Sequence, residues 1–172
     1  MQREEMHPLT KLAKETVESY IKQHKIPRPS SLTPEMKEKA GVFVTIRKHG
    51  ELRGCIGTFE PMHANVAEEI INNAISSSTR DTRFPPVTPN ELPHLTYSVD
   101  VLTPPEFVES EQELDPKRYG LIVESGSRRG LLLPDIEGVN TVEQQIDICR
   151  QKAGLVMGGP VNLYRFEVKR YR

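Results

Sequence analysis

Residues 76 positions apart in this chain match repeatedly. Gly50 aligns with Gly126 (126 − 50 = 76), and at the same offset Arg53 aligns with Arg129, Gly54 with Gly130, Asn65 with Thr141, Val66 with Val142 and Ile70 with Ile146. A shared offset over six positions constrains the fold more than any one motif, because each copy carries the same order of local signals. Two copies are too few for a solenoid. The repeat predicts an internal duplication inside a single domain spanning 1–172: two hairpin–helix–strand units, about 41–102 and 119–168, sharing one sheet system.

The local signals fill in each unit. Val42 to Ile46 is a dense β-forming run, His49-Gly50 a turn, and Leu52 to Ile56 the returning strand of a hairpin. Asn65 with Glu68 three residues on is a capping box that opens a helix with a Val66, Ile70, Ala74 stripe, and Ser76 to Thr79 is expected to stop it. Arg80 to Pro93 reads as a long loop with four prolines, and Leu95 to Leu102 as a strand with Ser98 and Asp100 on its polar face. In the second unit Tyr119 to Glu124 and Arg129 to Leu133 form a hairpin about Gly126. Thr141 with Gln144 caps a helix through Ala153, and Leu163 to Val168 is the closing strand. Before the first unit, Leu9, Leu12, Ala13, Thr16, Val17, Tyr20 and Ile21 repeat at helical spacing until Pro27-Arg28-Pro29, and Thr33-Pro34 opens a short helix to about Lys39.

Composition narrows the function. The chain has 172 residues, 36% hydrophobic and 27% charged, enough for one ordinary core. No run of about 18 apolar residues exists to cross a membrane, and Met1-Gln2-Arg3-Glu4-Glu5 is too polar for a signal peptide. A cytoplasmic location is the expectation. The formal net charge of −1 argues against a dedicated nucleic-acid binder, and Lys169 to Arg172 reads as a solvated basic tail. Two cysteines with no CxxC pair, and scattered histidines, give no metal site and imply no cofactor.

The candidate site is Leu52-Arg53-Gly54-Cys55-Ile56-Gly57. Glycine admits a close neighbour, and an arginine favours a thiolate or anion. The repeat filters this stretch: Arg53-Gly54 recurs as Arg129-Gly130, whereas Cys55 and Gly57 face Leu131 and Leu133. Cys55 is therefore the candidate nucleophile, against the competing reading of a small buried hydrophobe. A regular pleat is read as placing Arg53 on the face opposite Cys55, which leaves Arg80 and Arg83 to lower the thiol pKa and His63 to act as base. Arg80, Asp81 and Arg83 form either an anion-recognition loop, with Asp81 orienting Arg83, or local ion pairs anchored by Phe84. Arg53, Gly54 and Gly57 complete the candidate binding residues. Gly158-Gly159-Pro160 lacks the lysine and helix of a P-loop and reads as a turn.

The chain resembles the AMMECR domain family. The six-residue motif carries the resemblance, preceded by Gly41-Val42-Phe43-Val44-Thr45. Asp81 to Pro85, Ser98 to Leu102, and Gly130 to Pro134 with Lys152-Ala153-Gly154 support it. Asn140 to Gln145 is similar to the bacterial branch called AmmeMemoRadiSam system protein A. The resemblance implies an α+β fold in which duplicated units form a barrel-like, mainly antiparallel sheet flanked by helices, with two subdomains and a cleft. It also implies association with a Memo-type protein and a radical SAM protein, and marks the six-residue motif as the suspected site. Asp135 departs from the pattern, many relatives having glutamine there. Three functions stay open: an accessory, cysteine-dependent modifying enzyme of that system; a non-catalytic peptide- or protein-binding module; and an RNA-associated protein using Arg128, Arg129 and the C-terminal basic residues.

Overall fold

The computed structural model describes residues 5–155 and 158–172; the polar N-terminal stretch read at Met1 to Glu4 lies outside them. Two compact units form. The first holds the described residues through Val101 and takes Lys169–Arg172 back from beyond the second, which is Leu102–Val168.

The first unit opens with α1 (Pro8–Gln23), which has proline at its first position and ends in left-handed His24. The short α2 (Pro34–Lys37) is capped by Thr33. Then come the antiparallel hairpin β1 (Val42–Lys48) and β2 (Glu51–Thr58), helix α3 (Val66–Thr79) and strand β3 (Leu95–Leu102). The sheet order is β2-β1-β3-β8, where β8 is Val168–Tyr171. Strand β1 alternates because one face is core: Val42, Val44 and Ile46 are fully buried against Val66, Ile70 and Ala74 of α3, with Leu9, Ala13 and Val17 of α1 behind.

The second unit contains β4 (Glu106–Val108), the hairpin β5 (Gly120–Ser125) and β6 (Arg128–Leu132), helix α4 (Val142–Ala153) and β7 (Asn162–Phe166), in the sheet order β4-β7-β5-β6. Its core is Val108, Leu121, Val123, Leu132, Ile146 and Cys149.

The fold is thus α+β with two antiparallel four-stranded sheets. The expected single barrel-like sheet is corrected: each sheet keeps two edge strands, so neither closes. The run read as one final strand is the reason. It breaks at Glu167, giving β7 to the second sheet and β8 to the first. The basic tail is corrected with it, since Lys169 to Tyr171 lie in β8 and Arg170 pairs with Asp100 at 2.8 Å. The serines expected to stop α3 lie inside it. Ser78 and Thr79 hydroxyls donate back to the carbonyls of Ala74 and Ile75, so they satisfy themselves within the helix.

The two units repeat one construction. In α3, Asn73 donates to the Val42 carbonyl and Ser77 to the Val44 carbonyl. In α4, Gln145 donates to the Tyr119 carbonyl and Cys149 to the Leu121 carbonyl. A Cβ on Gly54 would collide with the Ser77 carbonyl, and one on Gly130 with the Cys149 carbonyl. The helix residues in these matched contacts lie 72 positions apart (145 − 73 and 149 − 77) and the strand carbonyls they reach 77 apart (119 − 42 and 121 − 44), whereas Gly54 and Gly130, like the two helix caps, are 76 apart.

Candidate functional site

Helix α3 covers one face of the β1–β2 hairpin through Gly54. Next to Gly54, Cys55 pairs with Thr45, and the register slips at Arg53, which stands between the Ile46–Gly54 and Arg47–Leu52 pairs with no partner of its own. A regular pleat puts residues two apart on one face rather than on opposite faces, and the extra residue in β2 at Arg53 breaks that alternation. Arg53 is nonetheless occupied elsewhere. Its guanidinium pairs at 2.9 and 3.1 Å with both oxygens of Glu91, which also accepts from Lys48 and from the Thr88 N–H. Arg53 holds the Glu91 carboxyl down at about 2.

Across the outer face, the register aligns Cys55 with Thr45 and Thr45 with Ser98. The Cys55 thiol lies 3.3 Å from the Thr45 hydroxyl. Asp81 arches over from the end of α3 and accepts from the Cys55 N–H at 3.0 Å. It is 5% exposed and grips Arg83 by two bonds, of 3.0 and 2.7 Å. The Arg83 guanidinium keeps the Asp81 carboxyl well below the usual carboxylate range, and its Nη2 reaches the Cys55 carbonyl at 3.4 Å. Asp81 thus occupies the outer edge of β2, where an unpaired N–H would otherwise stand. Opposite, on β3, Asp100 is 2% exposed and holds Arg170 in the same two-bond manner.

These neighbours set the thiol's chemistry. Burial pushes the Cys55 thiol up; the Thr45 hydrogen bond and Arg83 pull it down, while Asp100 and Asp81 add to the rise. The net direction is upward, toward the neutral S–H. Gly57 also has a packing reason, since a Cβ there would meet the Phe43 ring.

The structure therefore brings Cys55, Asp81 and Arg83 together. It places Arg53 with Glu91, and Arg80 at the exposed end of α3, where its N–H bonds Ser76. His63 sits in the loop after β2, with Nδ1 3.1 Å from Glu69. Glu69 is fully buried and also accepts from the N–H groups of Met62 and His63 and from the Thr58 hydroxyl. It fixes this loop on the α3 side of β2. Sequence reasoning missed Glu69, Glu91 and Thr45. A glutamate on the inner stripe of α3, one residue before Ile70, was the available signal for the first.

An α+β domain with a helix-backed hairpin, and a cysteine edge strand clamped by an Asp–Arg pair, is the class these features define. The chain belongs to the AMMECR1 family, whose model matches residues 10–171. It is 51% identical over 170 residues to a protein of Thermotoga maritima, covering 96% of this chain and 98% of that one. It is 45% identical over 173 residues to a longer protein of Clostridium acetobutylicum, covering 99% of this chain but only 37% of that protein. The crystal structure of an uncharacterized protein from Pyrococcus horikoshii superposes with a TM-score of 0.84 at 37% identity, covering 94% of this chain and 88% of the other. Among the described residues no helix is long and apolar enough to cross a membrane.

Proposed function

We propose that this chain is a non-catalytic binding module that serves partner proteins, with the outer face of the first sheet and the loop carrying Asp81 and Arg83 as its working surface. The observation that carries this reading is the state of Cys55. Its thiol is raised by burial, is bonded to Thr45 and has carboxylates as neighbours, an environment unlike that of an activated nucleophile. The His63 ring lies against Glu69, with Nδ1 3.1 Å from the carboxylate and no hydrogen bond made by it. That the domain makes up 37% of the Clostridium protein supports a modular role.

The partners implied by the family resemblance are a Memo-type protein and a radical SAM protein, met in the cytoplasm. Titration calorimetry of the chain with each purified partner tests the reading. Cys55→Ser binds as the unaltered chain does and Arg83→Gln binds more weakly. Loss of binding by Cys55→Ser with its circular dichroism unchanged sinks the proposal.

The second reading, a cysteine-dependent modifying enzyme, draws on the half-buried position of Cys55 beside Arg83. Alkylation of Cys55 against pH separates the two. A half-maximal rate above pH 8.5 fits the module, and an inflection below pH 7.5 fits the enzyme. For an RNA role, Arg129 pairs with Glu124 and Arg128 bonds the Gly154 carbonyl, uses that compete with phosphate contacts. We also infer that units 41–102 and 119–168 arose by duplication, on the strength of their matched helix-to-strand bonds.

A further inference from the structure

The outer face of the first sheet carries a cavity of about 320 Å³ beside the Thr45–Cys55 pair. Its lining includes Thr45, Arg47, Thr96, Ser98, Arg170 and Arg172. We propose that it binds a small ligand bearing a phosphate group. This builds on the working surface assigned above and adds a ligand to it.

The residue types make the argument. Three guanidinium groups and three hydroxyls are fork-shaped and single donors to oxyanions, the set that recognises phosphate. One buried carboxylate, Asp100, faces them and holds Arg170 through Nε and Nη2. The three arginines outnumber Asp100, an excess of positive charge suited to the charge of about −1.5 to −2 on a phosphate monoester. Among the described residues the Arg47 and Arg172 side chains have no hydrogen-bond or ion-pair partner. Uncompensated cations in a concavity are what an anionic ligand neutralises. The volume lies at the small end of the usual range for ligand pockets, about 300–1,000 Å³.

Thr45 gives the cavity a second readout. Its hydroxyl lines the cavity and is also the partner of Cys55 Sγ. A phosphate accepting from Thr45 withdraws that hydroxyl from the sulfur and sets negative charge beside it. Both disfavour the thiolate.

The test is calorimetric titration with inorganic phosphate at constant ionic strength, with Cys55 alkylation followed in parallel. The unaltered chain binds phosphate saturably and its alkylation slows at least threefold. The Arg47→Gln/Arg172→Gln double variant loses at least tenfold in affinity and its alkylation no longer responds. Lys169→Gln, which removes a charge from the neighbouring position on β8, behaves as the unaltered chain. Absence of saturable binding, or an equal loss in Lys169→Gln, overturns the proposal. Partner titration by the same variants keeps the two readings apart. Partner binding that survives without phosphate binding removes the ligand and leaves the module, whereas phosphate binding with partner binding lost in Cys55→Ser does the reverse.

Discussion

Gly54 and Gly57 lie three residues apart and are glycines for different neighbours. Gly54 lets the Ser77 carbonyl of α3 approach β2, and Gly57 makes room for the Phe43 ring. Gly54→Ala forces the helix off the hairpin and should cost about 2–3 kcal/mol, read as a lower urea midpoint. Gly50→Ala has open space and only a left-handed φ of 81° to oppose it, so about 1 kcal/mol is expected in the same assay. The Asp81 clamp should be more costly to break than its exposed Arg83 half suggests. Asp81→Ala leaves the Cys55 N–H without its acceptor and the guanidinium with only its long contact to the Cys55 carbonyl, and a loss of about 2–3 kcal/mol is expected by denaturant unfolding at pH 7. Glu91 supplies a pH dependence. Its folded pKa of about 2 lies below its ordinary 4.5, so its pairing with Arg53 stabilises the fold above pH 4.5 and is lost as pH falls toward 2. Allowing for solvent at the rim of the pair, the effect is about 2 kcal/mol. Glu91→Gln should flatten the stability profile between pH 5 and pH 2.

The helices show what local pattern reveals and where it stops. The Asn65 cap, the Thr141 capping box and the Val66, Ile70, Ala74 stripe were legible because they depend on spacing within one turn or face. The end of α3 was not. Serines favour helix ends in isolation, but here Ser77 is 2% exposed and bridges β1 and β2, donating to the Val44 carbonyl and accepting from the Ile56 N–H at 2.9 Å. That use exists only once the helix lies on the hairpin. Ser77→Ala should lower stability by about 1–2 kcal/mol, and exchange of the Ile56 amide should quicken with it. The site was legible in the same limited sense. Cys55, Asp81 and Arg83 stood out by type, and the structure joins them. Arg53 and His63 were drawn to other carboxylates, Glu91 and Glu69, that chain order alone does not bring near. The mismatch between the offset of 76 for the caps and 72 for the bonding helix residues is likewise invisible in sequence, where caps align but bonding positions do not.

The molecule is built from two units with the same strand-pairing scheme. Each has a hairpin whose first strand also pairs with the strand after the helix, plus one further strand beyond that (β8 in the first unit, β4 in the second). In the second unit the thiol matched to Ser77 is Cys149, fully buried, with a pKa pushed up to about 12. Labelling with an alkylating reagent at pH 8 should therefore modify Cys55 and spare Cys149 until the chain is unfolded, as peptide mass spectrometry would read. The chain passes from the first unit to the second after Val101 and back after Val168, and Thr103 ties the two passages, its N–H to the Glu167 carbonyl and its hydroxyl to the Glu167 N–H. Strand β8 therefore follows the whole second unit in the order of synthesis. As the polypeptide leaves the ribosome, β3 waits with an open edge while the 65 residues from Thr103 to Glu167 are made (168 − 102 − 1), and the Arg170 that neutralises Asp100 arrives after them. Until then the nascent first sheet exposes a pairing edge and a lone buried carboxylate, the stage at which a chaperone would have something to hold.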